Sequence, residues 1–179
     1  MHKKIIATAL LLASGQAFSE TDPNSPSVMS NFSYDYFEAR IGASPVTFGA
    51  AVSKTIHPNA HFIGRIDSEF EGDYDAAAGF GFHAPVNNWA DFTGEMLFRM
   101  QDLGSTDTGI EVNLGIRQWL GPQLEVGGKA GYVSIDKKED WLGSAHIRFH
   151  STELFSVGAE IRINDAYGDQ AILTARFKY

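Results

Sequence analysis

The run Ile110 to Arg117, IEVNLGIR, sets apolar and polar side chains in strict alternation, with Ile110, Val112, Leu114 and Ile116 on one side and Glu111 and Arg117 on the other. Period two is the mark of an extended strand, because successive side chains leave it on opposite faces. The pattern recurs along most of the chain, and no amphipathic helix of useful length interrupts it. With 18 glycines and only 6 prolines, the composition agrees with an all-β protein.

The segments that read as strands are Phe32 to Ala43, Val46 to Ile56, His61 to Phe70, Tyr74 to Ala84, Ala90 to Gln101, Thr108 to Trp119, Leu124 to Ile135, Trp141 to His150, Leu154 to Asn164 and Gln170 to Tyr179. They number about ten, and each is near the ~9–11 residues that a tilted strand needs to cross a bilayer. The expected fold is therefore all-β: a single antiparallel up-and-down transmembrane β-barrel of about ten strands, with eight as the alternative. Turns such as His57-Pro58-Asn59, Pro85 to Asn88, Gly121-Pro122-Gln123 and Ser151-Thr152-Glu153 are assigned to the periplasmic side. The acidic connections Glu71-Gly72-Asp73 and Asp136 to Asp140 are assigned to the outside.

Three parts are expected along the chain. His2, Lys3 and Lys4 form a basic start, Ile5 to Ala13 an apolar run and Ala17-Phe18-Ser19 a small-residue cleavage site, so residues 1–19 read as a secretory signal cut before Glu20. The apolar run is far shorter than the ~20 residues of a spanning helix. Residues 20–30 read as a flexible periplasmic lead-in, rich in Ser, Pro and Asn, and residues 31–179 as the barrel. The absence of cysteine excludes disulfides, thiol catalysis and zinc–thiolate sites. A net charge of −8 without a basic stripe excludes a nucleic-acid partner.

Alternation alone does not say which face meets lipid, since a soluble barrel turns its apolar face inward. The charge distribution says more. One face carries the basic residues Arg40, Arg65, Arg99, Arg117, Lys129, Arg148, Arg162, Arg176 and Lys178, together with the acids Glu38, Asp67, Glu69, Asp75, Asp91, Glu95, Glu111, Glu125 and Glu160. Nine of each sign cancel, as expected for Arg–carboxylate pairs crossing a narrow polar lumen. The opposite face, with Phe62, Ile66, Ala78, Phe80, Phe82, Phe92, Met96, Phe98, Val157, Ala159, Ile161 and Ile163, is almost free of charge. Lys54 is the exception, placed near a turn where its stem can snorkel. Trp89, Trp119 and Trp141 stand at strand ends, the belt position favoured by an amphipathic ring. Gly49, Gly79, Gly81, Gly109, Gly115, Gly127 and Gly131 fall on the charged face, where a missing side chain gives a neighbouring Arg or Tyr room to lie across the lumen or only eases the curvature of the barrel.

The final ten residues, QAILTARFKY, place Ala171, Leu173, Ala175, Phe177 and Tyr179 on one face and end on an aromatic. This segment resembles the C-terminal assembly signal of Gram-negative outer-membrane barrels, which implies Leu173, Ala175, Phe177 and Tyr179 as the residues read by the barrel-assembly machinery. Together with Tyr34-Asp35-Tyr36-Phe37-Glu38-Ala39-Arg40 and Phe177-Lys178-Tyr179, the chain resembles small single-chain barrels of the OmpA/OmpX-like kind. Thr174 stands where the signal usually has Gly, Ile172 where it usually has a polar residue, and the type has eight strands. The resemblance implies residence in the outer membrane of a Gram-negative bacterium, contact with its lipids and lipopolysaccharide, a monomer, and no cofactor.

For function, the expectation is a structural or surface-interaction role with a charge-filled narrow lumen and at most low-conductance passage of small solutes. Nine acids (Glu71, Asp73, Asp102, Asp107, Asp136, Glu139, Asp140, Asp165, Asp169) crowd the outer rim against Lys137 and Lys138. Such a rim attracts divalent cations, with Asp136, Glu139 and Asp140 as the candidate cluster, or serves only to keep the turns solvated. The enzymatic alternative is a lipid-modifying hydrolase using Ser144, His146 and Glu160, with His150 on the same face. The alternative to catalysis is that these are ordinary lumen residues. His57, His61 and His83 read as structural. A soluble periplasmic barrel for an apolar ligand requires the faces to be inverted, phenylalanines inside and charges outside.

Overall fold

The computed structural model describes residues 30–136 and 138–179. The expected signal segment and lead-in residues 20–29 lie outside the described residues. The described chain forms ten strands: β1 (Tyr36–Ala43), β2 (Thr47–His57), β3 (Ala60–Ser68), β4 (Tyr74–Asn87), β5 (Ala90–Asp102), β6 (Thr106–Trp119), β7 (Leu124–Ile135), β8 (Lys138–His150), β9 (Phe155–Asp165) and β10 (Gly168–Lys178). Each pairs antiparallel with its sequence neighbours, and β1 pairs with β10 to close the sheet into an up-and-down barrel. Closure removes the exposed strand edges that would invite aggregation.

Short connections follow from the tight hairpin register. The longest is the five-residue turn 69–73 between β3 and β4. Gly104 (φ 109°) and Gly168 (φ 79°) take the left-handed conformations that let the β5–β6 and β9–β10 chains reverse without a Cβ clash. The chain's described start and its end lie at one mouth, where Asn31 donates to the Asn88 carbonyl (2.8 Å) and the Tyr179 N–H to the Asp35 carbonyl (3.4 Å). This terminal end also carries the β2–β3, β4–β5, β6–β7 and β8–β9 turns.

The outer surface is apolar and the interior charged. Phe80, Phe92, Met96, Phe98, Ile110 and Ile161 are each more than half exposed, while Glu38, Arg40, Asp75, Arg99, Glu111 and Glu125 are buried. A soluble barrel needs the reverse, so the apolar-ligand alternative is corrected: no phenylalanine-lined interior exists among the described residues. Two apolar clusters, Ile63–Ala77–Leu97 and Val133–Ile135–Leu142, do face inward and break the charged lining.

Three local expectations are corrected. β1 begins at Tyr36, four residues later than Phe32, because Phe32 and Tyr34 turn into the barrel mouth instead of joining the sheet. Trp119 shares the parity of Arg117 and pairs in register with buried Glu125, so its ring points into the barrel mouth and not to a lipid belt. Trp89 and Trp141 are exposed, each at 56 %. The partners that lie across lumen glycines are mainly histidine and short polar side chains, not Arg or Tyr. A Cβ on Gly127 would stand 2.5 Å from His146 Cε1, and one on Gly81 would collide with the His61 ring.

Candidate functional site

The lumen is filled by a layered ion-pair network. Toward the far end, Arg99 reaches Asp75 (2.7 Å), Glu111 (3.1 Å) and Asp165. Arg65 shares Glu111 at 2.8 Å, and Arg162 binds Asp165 (2.8 Å) and Glu160 (3.1 Å) and approaches Asp67 at 3.7 Å. Arg40 Nε lies 3.2 Å from Asp67 Oδ1 without the alignment of a hydrogen bond. Midway, Lys129 Nζ donates to both Glu95 oxygens at 3.1 Å, and Asn113 Nδ2 bridges Glu95 and Glu111. Nearer the terminal end, Arg148 (2.8 Å) and Arg176 (2.7 Å) donate to the same oxygen of Glu38, while Glu125 accepts Arg117 at 2.9 Å. Strand alternation delivers each group to the interior, and cross-strand register sets the partners: Glu38 stands opposite Arg176, and Glu125 opposite Arg148.

Two expected placements differ. Glu69 lies beyond the end of β3 in the 69–73 turn. Asp165, expected on the solvated rim, turns inward to Arg99 and Arg162 because β9 runs one residue past Asn164 before reversing.

The terminal mouth is closed by the described residues just ahead of β1. Tyr34 stacks on His83 (centroids 3.8 Å apart), leans on His61 (4.6 Å), and donates its hydroxyl to Asp91 at 2.8 Å. Ser30 also donates to Asp91, and the Tyr34 carbonyl accepts from Ser53 Oγ at 2.6 Å. Phe32 stacks on Trp119 at 5.3 Å, and the Arg117 guanidinium lies 4.6 Å and 4.8 Å above the Phe32 and Tyr34 rings. Arg117 thus joins the plug to Glu125 and the ion-pair network. Phe32 and Tyr34 are buried, which requires the aromatic layer to fill the mouth. Sequence reasoning missed this segment; its only legible signal is the aromatic pair Phe32 and Tyr34 ahead of the first strand.

At the far end, Tyr167 from the β9–β10 turn donates its hydroxyl to Asp73 and to the Asp67 carbonyl (3.2 Å). Asp73 also accepts the N–H groups of Glu69 (2.9 Å) and Glu71 (3.1 Å). Burial works to raise the Asp73 carboxyl pKa, but the Glu69 N–H, the Tyr167 hydroxyl and the Glu71 N–H outweigh it and hold it below its ordinary range. A depressed carboxyl pKa gives stabilisation that is complete above the unfolded-state value and lost as pH falls through the folded one. Protection factors of the Glu69 and Glu71 amides against hydrogen exchange should therefore stay level down to about pH 3.9 and fall only below it; in Asp73→Ala they should be low throughout.

The remaining expected groups are placed as follows. His146 Nε2 lies 3.3 Å from Glu125 Oε1 and His150 Nε2 lies 2.9 Å from Oε2, Glu160 is held by Arg162, and Ser144 Oγ has no hydrogen-bond partner. Ser144, His146 and Glu160 thus share the lumen wall without forming a hydrogen-bonded chain. Asp136, Glu139 and Asp140 do not converge, since neighbouring strand residues face opposite ways, and among the described residues no three His, Asp or Glu side chains could share a metal ion. Leu173, Phe177 and Tyr179 are exposed along β10 with Ala175 between them. The Lys54 ammonium lies 4.9 Å over the Tyr179 ring and 3.6 Å from Asp35, at the terminal rim.

No family model and no curated protein matches the chain. Among solved structures, it is similar to a designed protein from work on de novo transmembrane β-barrels, at 12% identity over 83% of this chain and 98% of that one, with a TM-score of 0.44. It is also similar to the outer membrane protein Omp33 of Acinetobacter baumannii, at 11% identity over 82% of this chain and 98% of that one, with a TM-score of 0.44.

Proposed function

We propose that this chain is an integral outer-membrane barrel of a Gram-negative bacterium, with a lumen that its own N-terminal segment holds occluded and that conducts small solutes poorly. The observation that carries this reading is the aromatic layer of Phe32, Tyr34, His83, Arg117 and Trp119 across one mouth, backed by buried ion pairs through the rest of the lumen. Support for membrane residence comes from the apolar exterior and charged interior, which suit lipid outside and polar contacts inside. The exposed face of Leu173, Ala175, Phe177 and Tyr179 supports recognition by the barrel-assembly machinery, with lipids and lipopolysaccharide as the surrounding partners. Turns of five residues or fewer favour a structural role over a large adhesive surface.

Planar-bilayer recording tests the occlusion. The wild-type barrel should show small, rare conductance steps, and Phe32→Ala/Tyr34→Ala should raise open time or step size severalfold while keeping the heat-dependent gel mobility of a folded barrel. Large wild-type currents unchanged in the double variant would sink the reading.

A further inference from the structure

The balance of charge over the whole lumen hides a local excess. A cavity of about 90 Å³ lies behind Tyr34, and its wall carries seven cationic side chains but only three carboxylates, Glu38, Glu95 and Glu160. Glu95 is taken by Lys129 and Glu160 by Arg162. The far-end arginines use carboxylates outside the wall, as Arg65 does with Glu111. What remains nearest the plug is a set of three guanidiniums, Arg117, Arg148 and Arg176, with Glu38 and Glu125, while Asp91, opposite Arg117 in register, is taken by the Tyr34 and Ser30 hydroxyls. Arg148 is the surplus member. It shares Glu38 Oε2 with Arg176, stands 3.6 Å from a Glu125 oxygen already bonded to Arg117, and leaves its own Nε without a hydrogen-bond partner. Buried cations without a full complement of counter-charge are costly, and the open volume beside them admits a counter-ion.

We propose that this cavity holds one small inorganic anion of halide size between Arg148 and Arg176. On this measure one water needs about 10–15 Å³, so the cavity has room for a small anion together with bound water. The anion completes the pairing of Arg148, and the site is closed toward the terminal mouth by Tyr34. It is independent of whether the lumen conducts.

The test is thermal unfolding in a non-ionic detergent, followed by circular dichroism, as sodium chloride replaces sodium gluconate at constant ionic strength. The wild-type midpoint should rise with the logarithm of chloride concentration, by about 5–11 °C when chloride reaches ~100 times its dissociation constant. Arg148→Gln leaves Arg117 with Glu125 and Arg176 with Glu38, so it should fold in gluconate and lose the chloride response. An unresponsive wild-type midpoint, or an equal rise in the variant, overturns the proposal. Should the variant fail to fold, bromide soaked into wild-type crystals decides: an anomalous peak beside Arg148 and Arg176 supports the site, and an empty cavity overturns it.

Discussion

Arg99→Met is expected to destabilise the barrel by about 3–5 kcal/mol, the range for removing one member of a buried ion-pair cluster. Arg99 and Asp75 are both 1 % exposed, and Arg99 is the only cation within ion-pair distance of Asp75 among the described residues. Glu111 keeps Arg65 and Asp165 keeps Arg162 in the variant, so the cost falls on Asp75, left as a buried carboxylate without its guanidinium. This assignment has a second consequence. Arg99→Met combined with Asp75→Leu should recover most of the loss, because removing both partners leaves no orphaned charge. Urea unfolding in detergent micelles measures all three proteins. A single variant as stable as wild type would mean that the network contributes nothing, and a double variant no better than the single would place the cost elsewhere.

A comparable loss is expected on the outside. Met96 lies at the middle of β5, outward-facing and 61 % exposed, between Phe80 and Val112 on the neighbouring strands. If lipid covers this face, Met96→Arg costs about 2–4 kcal/mol, because the guanidinium must be buried near the bilayer midplane. Leu103, at the β5–β6 turn and 45 % exposed, lies near the interface, so Leu103→Arg should cost at most ~1 kcal/mol. Refolding equilibria in thin lipid vesicles compare the two. Equal effects at both positions would show that no depth-dependent medium surrounds the barrel.

Much of this architecture was legible in the chain because one rule governs it. The alternation in Ile110 to Arg117 determines both strand type and face, and a closed sheet of ten strands leaves little freedom beyond that. The same rule, applied to the end of β6, places Trp119 inside, and parity overrides the belt position that its nearness to a turn implies. Phe32 and Tyr34 were harder, since they alternate as strand residues do and only contacts with His83 and Trp119, distant in sequence, draw them out of the sheet. Partner choice in the lumen was not legible at all. That Arg148 reaches Glu38, 110 residues away, depends on barrel diameter and on which side chains lie down across glycines, and neither is a local property.

The Arg176–Glu38 contact lies on the seam where the last strand meets the first, between groups 138 residues apart. Glu38 therefore has no near guanidinium from its other neighbour, β2, whose register partner is Ala51. A sheet that closed one strand early would bring β9 against β1 and leave Glu38 facing a different set of side chains without Arg176. The seam pair thus acts as a strand counter: it favours the ten-strand ring over the nine-strand one.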